Sequence, residues 1–352
     1  MVAERAPGAG LWPAIAAGRR PTPDEILLLR SAAARLARLT SPALADWLLS
    51  SPADDAGPAI APEMVRRSRL LNRFARAQAM RWLSVVADSG IDVVCLKGLA
   101  AALSVYPEPD LRGMGDVDIL VRERDVGALV RALTAHGFAF KESAETPLWG
   151  LVSTASFHPF VAPDKLFVFD LHIQPDADPV PRGLTAESVF AKARTIAIDG
   201  MAIKIPSAPH FLLLAITNAA RDKLGADAVK SLADAFAYLA RTSLDPGWPE
   251  TIAAARVGGF IRTLRAVLAV LARLGVPPAR LPAGFPLDLD RIARSELERV
   301  IADYADIFPE EPGKLALQRR ELLLLAPPAV IARRYGRRFR GLIRPWPGIP
   351  KF

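Results

Sequence analysis

Asp116 and Asp118 stand two residues apart in the stretch LRGMGDVDILVR (Leu111–Arg122), at the opening of the apolar run Ile119, Leu120 and Val121. A short run of aliphatic residues of this kind reads as a buried strand. Side chains two apart on a strand point the same way, so both carboxylates leave one face. Two like charges so placed repel, and their ordinary partner is one or two Mg²⁺ ions, which prefer oxygen ligands and commonly carry a substrate's phosphates. The plainer alternative is a capping Asp116 beside an Asp118 on a solvated edge, and a DxD pattern alone is too short to exclude it.

A third acid and several phosphate-type ligands surround this pair. Asp170 lies between Phe169 and Leu171 in a strand-like segment that ends at His172. An unpaired carboxylate there is costly, so Asp170 either completes a metal site or sits buried against an arginine. His172 follows two residues later on the same strand face, placed to touch a ligand, to orient the acid or to make a structural hydrogen bond. Upstream, Ile91–Leu96, Lys97-Gly98 and Leu99–Val105 read as strand, tight turn and helix. Backbone N–H groups in such a turn and at such a helix N-terminus can hold phosphate oxygens. Lys97 offers a point charge, and Arg112, four residues before Asp116, is either a bidentate phosphate ligand or a surface cation.

The order LKG, then YP, then RGMGDVDILV, then a later DLH, across roughly residues 86–205, resembles the uncharacterised nucleotidyltransferase family of the polymerase-beta-type superfamily. The likeness continues more weakly into the helical segment that follows. It implies an α+β fold, a small mixed β-sheet nucleotidyltransferase core flanked by N-terminal and C-terminal helical regions. It also implies Mg²⁺-dependent transfer of a nucleoside monophosphate from an NTP, with ATP the first candidate, to a hydroxyl, with release of pyrophosphate. Under that resemblance Asp116, Asp118 and Asp170 are the catalytic metal ligands for two Mg²⁺ ions, with Mn²⁺ as a possible substitute. Lys97, Gly98, Arg112 and His172 become nucleotide-binding residues. The chain departs from the superfamily in one place: Gly98-Leu99 stands where Gly-Ser is usual, so the serine hydroxyl's phosphate contact is missing.

The elements that must position these groups fall into stretches separable by composition. Residues 1–85 read as a helical region, with Pro23–Leu39, Pro42–Leu49 and Pro62–Val86 rich in Ala, Leu and Arg and separated by proline-containing breaks. Residues 86–206 form the expected catalytic core. After the DxD strand come the helix Arg124–His136, a Gly137 cap and strands at Phe138–Phe140, Leu151–Phe157 and Leu166–Ile173. A hairpin over Thr195–Ile205 turns at Asp199-Gly200. Residues 207–329 return to helix, with Lys223, Lys230 and Asp234 either lining the pocket or forming a solvated face. Residues 330–352 form a basic, aromatic tail.

Of 352 residues, 51% are hydrophobic, which supports real cores and argues against disorder. Cys95, the single cysteine, lies in an apolar strand and cannot form an internal disulfide, which fits a reducing cytoplasm. No signal peptide or membrane span is read, and the Ala, Arg and Pro richness suggests a bacterial source. The net charge is +8, yet residues 313–352 carry ten Lys or Arg against one acid, so the remainder sums to −1. Basicity therefore belongs to the tail, where Tyr335, Phe339 and Trp346 interleave with arginines, a surface that suits nucleic acid, an acidic membrane or plain packing. The four histidines show no zinc spacing. Three rival readings remain: a toxin-like enzyme modifying RNA or tRNA, a DxD glycosyltransferase and a nucleotide-binding pseudoenzyme. In the glycosyltransferase fold the apolar run usually precedes the DxD, whereas here it follows.

Overall fold

The computed structural model describes residues 32–49, 60–141, 155–241, 245–305, 307–308, 311–326, 329–332 and 336. It is a mixed α/β structure in which a small sheet lies among many helices. The N-terminal part supplies α1 (residues 32–39), α2 (Pro42–Leu49) and the long α3 (Pro62–Asp88). Pro62 sits in the first turn of α3, where its missing N–H costs nothing. The start of the expected Pro23–Leu39 helix and most of the basic tail lie outside the described residues.

The sheet has five strands in the order β1-β2-β5-β4-β3: β1 (Val93–Cys95), β2 (Val117–Val121), β3 (Ala139–Phe140), β4 (Phe160–Val161) and β5 (Val168–His172). β2 is buried along its whole length, which explains its uninterrupted Val, Ile and Leu pattern. It runs antiparallel to β1 and parallel to β5, with Val117 opposite Phe169 and Leu120 opposite His172. Between β1 and β2 the chain forms α4 (Lys97–Ser104), and α5 (Val126–Ala135) follows β2, its Val126, Leu129, Val130 and Leu133 buried at helical spacing. Gly137 then takes φ +86°, the left-handed cap its position suggested.

Of the expected Leu151–Phe157 strand, residues 151–154 lie outside the described set, and residues 155–157 run antiparallel to the end of β5 through the Ser156–His172 bridge and the backbone bonds of Phe157 to Leu171 and Ile173 to Ala155. The pairing with β5 continues at Phe160–Val161, which the expected strands did not include. Aromatic packing holds that second stretch. Phe160 pairs with Phe169 across the sheet, and Phe138 lies against both at centroid distances of 5.4 and 5.8 Å, with Trp82 of α3 edge-on to Phe138 at 4.7 Å.

After the short α6 (Ala186–Ala191), β6 (Arg194–Ile198) and β7 (Met201–Ile205) form a hairpin whose turn residues Asp199 and Gly200 both have positive φ. Helices α7 (Ala208–Arg221), α8 (Val229–Arg241), α9 (Trp248–Gly258) and α10 (Ile261–Arg273) follow, and beyond them α11 (Arg291–Ala305) and α12 (Lys314–Arg320), the last running into a π turn at Glu321–Leu325. Among the described residues no helix is long and apolar enough to cross a membrane.

Candidate active site

The parallel pairing of β2 and β5 places Asp118 directly opposite Asp170. Both emerge on one face of the sheet, and His172, two residues beyond Asp170, shares it. Ligand atoms of Asp118, Asp170 and His172 all lie within 4.8 Å of one another. His172 Nε2 is 2.9 Å from Asp118 Oδ1 and 3.9 Å from Asp170 Oδ2. Asp116 precedes β2 by one residue and opens to solvent, lining the same cleft as Asp118.

Lys97 closes this group from the opposite side. It heads α4 with φ +42°, a left-handed conformation uncommon for a residue with a side chain and frequent at functional sites. Its ammonium donates to Asp118 Oδ1 and stands 3.5 Å from His172 Nε2. Gly98 follows on the cleft wall, where an added Cβ would press on Met114 at 3.3 Å.

The charges divide unevenly among the acids. Burial alone would raise the pKa of Asp118, but the charge of Lys97 and the bond from His172 outweigh it and hold the carboxyl well below its usual range. Asp116 is raised, first by burial and then by the charges of Asp118 and Asp170. Asp170 is raised by burial and by Asp118. Lys97 is the lysine bonded within the cluster, Lys230 and Arg221 of the far wall reach Asp116 and Asp170 only through their charge, and Asp116 and Asp170 stay raised despite them.

The opposite wall of the cleft comes from the helices after the hairpin. Phe211, Leu214, Asn218 and Arg221 of α7 face Lys230, Ser231 and Asp234 of α8 around a cleft of about 820 Å³, open mouth included. Lys230 makes no ion pair or hydrogen bond among the described residues, and burial lowers its pKa. Arg221 holds Asp176 at 3.2 Å.

Arg112 behaves differently from a free phosphate fork. Its Nε and Nη2 donate to the two carboxylate oxygens of Asp234 at 2.8 and 3.0 Å, and Tyr106 donates to the same carboxylate at 2.7 Å. All three are at least nine-tenths buried. The bidentate face expected for a triphosphate is thus taken by a carboxylate, because an arginine desolvated in this wall requires an anionic partner within the protein. Tyr106, the first residue of the YP pair, has this partner as well. Asp234 is no solvated helix charge, and Lys223 pairs with Glu321 at 2.9 Å. Arg221 and Asn218 went unread. The signal on offer was their own spacing of three, which places both polar side chains on one face of a largely apolar helix.

A crystal structure of an antigenic nucleotidyltransferase-like protein from Paracoccidioides brasiliensis is similar to this chain at 15% identity, with a TM-score of 0.36, covering 58% of this chain and 92% of that one. No protein of curated function matches the chain. The uncharacterised nucleotidyltransferase family matches residues 33–275, from α1 to the end of α10, and so takes in the acid cluster, Lys97 and both helices of the far wall. With more than half of its length matched, the chain belongs to that family of nucleotidyltransferases.

Proposed function

We propose that the protein is a Mg²⁺-dependent enzyme that moves a nucleoside monophosphate from an NTP, ATP first, to a hydroxyl of a small-molecule or peptide acceptor. The observation that carries this reading is the in-register pair Asp118 and Asp170, with Asp116 two residues upstream and Lys97 bonded to Asp118. Three carboxylates with unmatched charge on one sheet face fit hard divalent cations, Mg²⁺ or Mn²⁺. Asp116, Asp118 and Asp170 would hold them, and His172, bonded to Asp118, orients that ligand from behind. Such ions supply charge stabilisation at the phosphoryl oxygens.

The chain's own groups account for the rest of the reaction. Asp170, its pKa raised by burial and by Asp118, is the carboxylate suited to take the acceptor hydroxyl's proton. The acceptor oxygen then bonds to the α-phosphorus as the α–β phosphoanhydride bond breaks and pyrophosphate leaves with that electron pair. Lys97 and Lys230, with the backbone of Gly98 at the start of α4, provide positive potential for the phosphates. Arg112 serves this wall through Asp234, holding the Arg112–Asp116 segment against α8. Phe211 and Leu214 offer apolar surface to the base. Cytoplasmic residence belongs to the same proposal and is supported by the single buried cysteine.

The test is calorimetry with each NTP in turn, with and without Mg²⁺, on the wild type and on Asp116→Asn/Asp118→Asn. Metal-dependent binding of one NTP, lost in the folded double variant, supports the reading. Absence of binding for every NTP would remove it.

A further inference from the structure

Helix α3 presents an apolar face to solvent. Met64, Leu70, Leu71 and Phe74 are 51%, 68%, 57% and 48% exposed, while the opposite face buries Ser68, Asn72, Ala79 and Leu83. At 3.6 residues per turn the four exposed residues fall within a stripe about 120° wide. Single exposed apolar side chains are ordinary, but a contiguous stripe over successive turns marks a contact surface.

Cations occupy the same face. Arg66, Arg67, Arg73 and Arg81 are all exposed, and Glu63 is the only acid of α3 before Asp88 at its end. Arg66 and Arg73 have acidic partners in Glu63 and Asp110, whereas Arg67 and Arg81 make no ion pair among the described residues, Arg81 lying over the Trp82 ring at 4.6 Å. Arg67 lies within the stripe, three residues after Met64 and four before Leu71.

We propose that α3 is the docking surface for an acidic amphipathic helix of another protein, which lays its apolar side on Leu70, Leu71 and Phe74 and its carboxylates on Arg67 and Arg81. The surface from Met64 to Arg81 is about 26 Å long, a length suited to helix-on-helix recognition. A second copy of this chain would bring arginines against arginines. Nucleic acid would find a single ring for stacking and three aliphatic side chains it cannot use. A flat lipid surface would have to accept Arg67 amid the groups that insert, whereas a partner's carboxylate can reach between them. Docking here also bears on the cleft: Asn72 and Arg73 of the same helix hold Asp110 at 2.8 Å each, and Asp110 leads directly into the Arg112–Asp116 segment. The inference stands independently of the reaction proposed above.

The experiment uses the full chain and two labelled synthetic helices of about 20 residues, each with leucines on one side, flanked in one by glutamates and in the other by lysines. Fluorescence anisotropy is expected to show binding of the glutamate helix and not of the lysine helix. Leu70→Gln/Phe74→Gln and Arg67→Gln/Arg81→Gln, with melting temperatures near wild type because all four residues are exposed, should each weaken it about tenfold or more. Equal binding of both helices, binding of neither, or binding undiminished in either variant would overturn the proposal. So would two substitutes for helix binding: partition onto phosphatidylglycerol vesicles abolished by Leu70→Gln/Phe74→Gln, which would make the face a membrane surface, or a wild-type dimer in sedimentation that the same variant dissolves.

Discussion

Two ionic groups line the cleft, one buried and one partly open to solvent, and they are built on opposite terms. On the helical wall, Arg112, Asp234 and Tyr106 form a closed set: one cation, one anion and a hydroxyl, with both carboxylate oxygens and three donors engaged. On the sheet, Asp116, Asp118 and Asp170 share Lys97, and the charges of the acids raise Asp116 and Asp170. The first group is complete within the protein and holds two elements together. The second keeps two acids raised by burial and by their neighbours' charge, which is the arrangement that the metal and nucleotide proposed above would relieve.

The comparison breaks most readily at Asp234. Asp234→Ala leaves the guanidinium of Arg112 buried without its anion, and a stability loss of about 3–5 kcal/mol in urea unfolding is expected. A loss comparable to that of a surface substitution would show that the set is not structural. The acid cluster should respond in the opposite sense. Mg²⁺ with its NTP at about 100 times the Kd should raise stability by about 2.7 kcal/mol in wild type, and EDTA should abolish the gain. Asp170→Asn should weaken metal-dependent NTP binding by at least the roughly 10–100-fold that loss of a ligand's supporting partner costs, while its ligand-free melting temperature stays at or above wild type, because the substitution removes repulsion. A ligand-free Asp170→Asn that melts well below wild type would make the cluster a structural set like its neighbour.

The same contrast decides what could be read from the sequence. Asp118 and Asp170 stood out because acids inside apolar strands violate the local pattern, and Asp116 because it stands two residues before Asp118, where strand alternation puts it on the same side. Their in-register pairing was not legible, since β2 and β5 are parallel strands some fifty residues apart and nothing local sets their alignment. The closed set was hidden for the reverse reason. Asp234 on a helix resembles any solvated helix charge, and Arg112 before an acid pair resembles a phosphate ligand, until tertiary packing brings them 122 residues together. Of the expected Leu151–Phe157 strand, the described end at 155–157 pairs with the far end of β5, and the pairing at Phe160–Val161, anchored by Phe160 against Phe138, went unread because only the packed aromatics mark it.

The smallest expected effect lies outside the cleft and tests whether burial alone could produce the contrast. His210 on α7 is 3% exposed and meets Glu250 of α9 at 2.8 Å, with Lys192 on the same carboxylate at 2.9 Å. Burial lowers the His210 pKa, only partly offset by the Glu250 hydrogen bond and charge. The unfolded chain therefore takes up a proton on this residue below about pH 6.5 that the folded protein withholds. Stability that is present above that pH falls as the pH drops through it, and continues to fall until the lowered folded value is passed. Glu250 is itself lowered, by the Lys192 bond first against opposing burial, so its contribution is lost only in the more acidic range below about 4.5. His210→Gln should accordingly flatten the stability profile between pH 7.5 and pH 5.5, read by urea unfolding at each pH, and Mg²⁺ with NTP should leave that slope unchanged. A slope that persists in His210→Gln would assign it to other groups. A slope that vanishes when nucleotide binds would mean that this buried pair communicates with the cleft, and that burial without unmatched charge is enough to make a group responsive to ligand.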